Sequence, residues 1–130
     1  MYAAPKGAKV NDSCGIHVHV DAANHNRQSL KNLISIMYSK EDLLFKALQV
    51  NEVRAIRFCK KVREPMLRKA RALSAEETPD LTQLERIWYE GDVHKTDHYN
   101  WTRYYALNLH SVFYRGTVEW RCFNSTLNPN

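Results

Sequence analysis

The sequence predicts an α+β domain, in which a small, mainly antiparallel sheet carries a helical segment inserted between its first strand and its closing hairpin. Two observations give the sheet: strict alternation of apolar and polar residues over Gly15 to Asp21, and a second alternation over Thr117 to Phe123. A third gives the insertion: between them, apolar residues recur at helical spacing.

Residues 1–14 are small and polar, with Pro5 and Gly7, and read as an entry tail or the end of a linker; the domain runs over 15–130. In the first strand Ile16, Val18 and Val20 point one way and His17, His19 and Asp21 the other, which predicts one buried face and one polar working face. Asn24 or Asn26 can cap a helix carrying Leu30, Leu33, Ile34 and Met37. Ser39 is expected to start a second helix, through Leu43, Leu44, Ala47 and Leu48.

A basic helix is expected from Val53 to Val62, with Arg54, Arg57 and Lys61 on one face opposite Ala55, Ile56 and Phe58. Pro65 interrupts it, and a short helix follows at Met66 to Leu73. Thr78, Pro79 and Asp80 announce the next, which ends at Gly91. Tyr105, Leu107, Leu109 and Val112 then predict a strand that turns at Tyr114 to Gly116 into the closing strand, where Thr117, Glu119, Arg121 and Phe123 share a face.

A chain of 130 residues, 44% of them hydrophobic, suffices for one core. No apolar run approaches the length of a membrane span and the opening residues lack the apolar stretch of a signal peptide, so a cytoplasmic protein without membrane contact is expected. Three widely spaced cysteines without a CxxC pair fit reduced thiols. The net charge of +5 is concentrated in residues 54–71, which hold eight Arg or Lys against the single Glu64. Such a field suits nucleotide phosphates, nucleic acid or an acidic protein surface, and equally a solvated helix face. Arg54, Arg57 and Lys61 are the candidate partner-binding residues.

On the first strand, His17, His19 and Asp21 stand in a row about 7 Å apart, a spacing that can grip a metal or a phosphate. The same row can be an ordinary solvated strand face, and zinc held with Cys14 is a third reading. On the closing strand, Glu119 and Arg121 pair a carboxylate with a guanidinium, which is also what a plain salt-bridge ladder looks like.

Taken together, Gly15-x-His17-x-His19, the distant Gly116-Thr117-x-Glu119-Trp120-Arg121 and the run Arg103-Tyr104-x-x-Leu107-Asn108-Leu109 resemble the carboxylate-amine ligase superfamily. That superfamily includes glutamine synthetase, glutamate-cysteine ligase and the amidoligase family, and the likeness covers roughly residues 11–127. It implies half of a glutamine-synthetase-like catalytic domain, with ATP and magnesium as cofactors. By the same resemblance His17 and Glu119 would bind the metal and His19 the nucleotide, while Arg121 would grip the transferring phosphate. Arg103 and Asn108 would contact phosphate or substrate. The resemblance also implies an upstream strand with a Glu-x-Glu pair, which residues 1–14 do not supply. A complementary N-terminal half is therefore an expected partner. Two alternatives stand beside it: a self-sufficient short enzyme with another nucleotide arrangement, and a ligase-derived protein that has lost catalysis, for example a phage or mobile-element inhibitor, and binds an acidic protein or nucleic acid through its basic helix.

Overall fold

The computed structural model describes residues 6–91 and 97–128, so the first five residues of the expected tail lie outside the described residues. The architecture is α+β. Strand β1 (Gly15–Asp21) is followed by helices α1 (Arg27–Ala47), α2 (Glu52–Arg57), α3 (Glu64–Ala72) and α4 (Thr82–Trp88). A 3₁₀ turn at Trp101–Tyr104 leads to β2 (Leu107–Asn108), α5 (His110–Arg115) and β3 (Thr117–Asn124). The sheet order is β1-β3-β2, antiparallel throughout. No described helix is long and apolar enough to cross a membrane.

Asn26, the second of the two expected caps, starts α1: its side chain accepts from the Ser29 backbone, and the Ser29 hydroxyl accepts from the Asn26 backbone. The two helices expected around Ser39 are one. The Ser39 hydroxyl donates back to the Ile36 carbonyl and so lies along the helix instead of capping a new one. Leu30, Ile34, Met37, Glu41 and Phe45 form the buried stripe of the resulting helix.

The basic helix expected to reach Val62 stops at Arg57. Beyond it the chain is drawn into an extended bridge, in which the Lys60 amide donates to the Tyr104 carbonyl and the Ala106 amide donates to the Lys60 carbonyl, each at 2.7 Å. Helix α4 starts at Thr82, later than Pro79, because Asp80 accepts from the Thr82 amide and hydroxyl and holds a separate turn before it.

The closing element also differs from a simple hairpin. Only Leu107 and Asn108 pair with β3, and α5 takes up the residues expected to continue the strand. Leu109, His110, Ser111 and Val112 are all buried in succession, which a two-sided strand alternation does not produce and a wedged helix does. Gly116, at φ 76°, turns the chain out of that helix into β3.

The main core lies between α1, α3 and α4 and the sheet, around Leu30, Ile34, Met66, Leu84, Trp88, Leu107 and Val118. The apolar face of β1 does not join it. Ile16, Val18 and Val20 remain 46%, 42% and 46% exposed, against an expectation of burial. The sheet order explains this: β1 pairs with β3 alone and forms the edge, beyond the reach of the core that covers Val118.

Candidate functional site

The antiparallel register sets His19 directly opposite Glu119 on neighbouring strands, and an irregularity between Ile16 and Val18 swings His17 toward the same carboxylate. The expected convergence on one sheet face is thus formed. His17 Nδ1 lies 3.2 Å and His19 Nε2 3.4 Å from Glu119 Oε1, and Arg121 Nη1 donates to that oxygen at 3.0 Å. The other oxygen, Oε2, accepts from Asn108 Nδ2 at 2.5 Å. Asn108 reaches it because β2 pairs Asn108 with Glu119 in register.

Glu119 is 4% exposed. Burial by itself would raise its carboxyl, but the His17 hydrogen bond, the Arg121 charge, Asn108 and His19 outweigh burial and hold it at about 2. Arg121 is also buried, and that burial pulls its own value down, against the opposing pull of Glu119. A buried carboxylate with one guanidinium, two imidazoles and an amide around it is locked in its ionised form.

These groups line one pocket of about 130 Å³ together with Arg103, His98, His110, Ser111, Tyr114 and Arg115. Arg103 and Arg121 lie against the same ring: their guanidinium carbons are 5.5 and 5.7 Å from the centroid of Tyr104. Arg103 also covers Tyr99, at 5.4 Å. On the far side of His19, its Nδ1 is 2.8 Å from the Thr117 hydroxyl, which the Ser111 hydroxyl also bonds at 2.8 Å. The wall formed by α5 was not foreseen from the sequence. His110, Ser111, Tyr114 and Arg115 share a pocket-facing side at helical spacing, a signal that reading the same residues as a strand end and a turn conceals. His110 is buried and hydrogen-bonded to the Tyr89 hydroxyl, and burial lowers its pKa, with the backbone of Asp97 opposing.

The donor set does not fit a magnesium ion by itself. Magnesium favours oxygen ligands, and the site offers one carboxylate whose two oxygens are already engaged by four partners. A cation on Oε1 would stand beside the Arg121 guanidinium, and Oε2 already accepts from Asn108. Among the described residues no group of three or more His, Cys, Asp or Glu side chains is arranged to hold a metal. Zinc with Cys14 meets the same finding; Cys14 lies instead against Asn11. Among the described residues the pocket lining holds three guanidiniums against one carboxylate, a balance that suits an anion.

The expected partner face of Arg54, Arg57 and Lys61 is not formed. Arg54 is 2% exposed, with its guanidinium donating to the carbonyls of Cys14 and Arg121. It enters the space that Gly15 leaves by having no side chain, since a Cβ there would lie 2.2 Å from Arg54 Nη2. Arg57 is exposed at the end of α2, whereas Lys61 lies beyond the helix, paired with Asp42 and over the Phe45 ring. Ile56, expected on the covered side, is 70% exposed.

No curated protein and no solved structure matches the chain. The model of the family described as "Putative amidoligase enzyme" matches residues 4–130, almost the whole length and both strands of the pocket. With the His17, His19, Glu119 and Arg121 face assembled as that likeness requires, the chain belongs to the amidoligase family.

Proposed function

We propose that the pocket binds the phosphates of ATP and presents one of them to a carboxylate, the opening half of an ATP-dependent carboxylate-amine ligation. The meeting of His17, His19, Glu119, Arg121, Asn108 and Arg103 around one pocket carries this reading. ATP would supply the phosphoryl group that makes a carboxylate open to attack by an amine.

The residues of this chain have distinct parts in that chemistry. Arg121 is fixed between Glu119 and the Tyr104 ring, and Arg103 rests on the same ring, so two positive charges are held in place before any ligand arrives. Preorganised charge stabilises a transferring phosphoryl group without reorganisation during the reaction. Glu119 keeps Arg121 aimed, and His17 and His19 close the sheet side of the pocket as donors. Asn108 fixes the far oxygen of Glu119, which makes it a positioning residue in this scheme.

Because Glu119 and His17 do not make a magnesium site alone, the further acidic ligands come, in this proposal, from a complementary polypeptide or segment. The chain then binds ATP phosphates by itself and turns ATP over only when complemented. Titration of the purified chain with ATP, followed by phosphorus NMR, tests the first step. Shifts of the phosphate resonances are expected, with affinity at least tenfold lower in Arg103→Gln. Absence of any shift at millimolar ATP would end the proposal.

A further inference from the structure

We infer that Arg115 and His98 form a second anion subsite within the same pocket, one that takes a carboxylate group. The inference rests on the ligase reading and extends it to the substrate.

Arg115 Nη2 lies 2.8 Å from His98 Nε2. A guanidinium has only donors, so Nε2 accepts in this contact. The ring is in turn stacked on Tyr114, with centroids 5.2 Å apart and planes 4° from parallel, and the other neighbour of Tyr114 is His110, at 5.5 Å and 17°. Arg115 itself packs on Tyr114, 5.6 Å from the centroid. The exposed guanidinium is therefore held by a hydrogen bond and a ring, although no described carboxylate holds it. Among the described residues, neither Arg115 nor Arg103 has an acidic side chain within ion-pairing distance.

Among the described residues the pocket thus has three guanidiniums and one carboxylate, and that carboxylate is paired with Arg121. The two remaining arginines stand in different settings. Arg103 shares the Tyr104 ring with Arg121, so it adds to a doubly cationic wall suited to a multiply charged phosphate. Arg115 is bonded to an imidazole and to no described carboxylate, which suits a singly charged, planar group that a guanidinium can grip with two parallel hydrogen bonds. Activation of a carboxylate by phosphoryl transfer requires both anions in one pocket at once. Two separately held arginine forks meet that requirement, and they overcome the repulsion between the two anions.

The test uses the full chain and two probes, tripolyphosphate and glutarate, followed by calorimetry and by NMR of the histidine rings. Both probes are expected to bind together, with His98 signals moving on glutarate and His17 signals on tripolyphosphate. Arg115→Gln should weaken glutarate tenfold or more and tripolyphosphate less than twofold, and Arg103→Gln the reverse. Mutual displacement of the probes, or a glutarate affinity indifferent to Arg115→Gln, overturns the subsite. If tripolyphosphate binds and glutarate does not, the subsite falls and the ligase reading survives. If neither binds, both fall.

Discussion

The guanidinium of Arg54 donates to the backbone carbonyl of Arg121 at 2.8 Å, so a buried cation from α2 supports the strand that carries the pocket's own arginine. Its second branch reaches the Cys14 carbonyl at the foot of β1, and the two site strands are thereby tied together from one point.

Gly15→Ala tests that arrangement. An added Cβ would meet three guanidinium atoms of Arg54 at 2.2 to 2.6 Å, so the guanidinium would have to move away from the Cys14 and Arg121 carbonyls that it holds. A loss of about 1–3 kcal/mol is expected in urea unfolding, the usual range for overpacking. An unchanged midpoint would mean that Arg54 is free to leave.

Charge reversal separates the three basic residues that the sequence alone groups together. Arg54→Glu should abolish folding, because it places an unpaired carboxylate against backbone carbonyls in the interior. Arg57→Glu and Lys61→Glu should change stability by no more than about 0.5 kcal/mol and about 1 kcal/mol respectively, the second because it breaks an exposed pair with Asp42. Thermal melts of the three variants read this directly.

Neutralising the site carboxylate should cost stability as well as ligand binding. Glu119→Gln leaves Arg121 buried without its counter-charge, for an expected loss of about 3 kcal/mol. Asn108→Ala, which removes one uncharged donor, should cost about 1–2 kcal/mol. Equal effects in chemical unfolding would contradict the view that the charged contact with Arg121 outweighs the uncharged one with Asn108.

Glu41 gives the pH dependence its sign. Burial raises its carboxyl from 4.5 to about 7, although the Val62 amide donates to both of its oxygens. The folded value lies above the unfolded one, so its contribution to stability is fully present below pH 4.5 and is lost as pH rises through about 7. The difference amounts to about 3 kcal/mol at most. Glu41→Gln should flatten this part of the stability profile, measured by urea unfolding between pH 4.5 and 8. A wild-type profile as flat as that of the variant would contradict it.

Much of the pocket was legible because strands have a period of two. Once Gly15 to Asp21 and Thr117 to Phe123 were recognised as strands, the facing of His17, His19, Glu119 and Arg121 followed from spacing, and the family likeness set the strands side by side. Arg54 was not legible. Its helical neighbours make it look like Arg57, and what buries it are carbonyls 40 and 67 positions away, together with a missing Cβ. The rim of the pocket was lost through one error of period. Read as a strand to Val112 and a turn at Tyr114 to Gly116, the segment sets His110 and Ser111 on opposite faces and leaves Tyr114 and Arg115 in the turn, whereas a helix gathers all four. The fused helix α1 shows the same dependence on a single hydroxyl, since Ser39 can cap a helix or lie along one and its sequence does not say which.

The uncovered face of β1 has a consequence for how the chain behaves when concentrated. Its segment Ile16-His17-Val18-His19-Val20 is β-branched at every second position, carries no charge when the imidazoles are neutral, and has one edge without a described strand partner. Those are the traits that let one strand template another, and natural proteins usually blunt them with lysine, proline or a covering loop. The pocket needs histidines at alternate positions of that strand, which leaves little freedom to install such guards within it. Solubility and site chemistry therefore compete for the same seven residues, Gly15–Asp21.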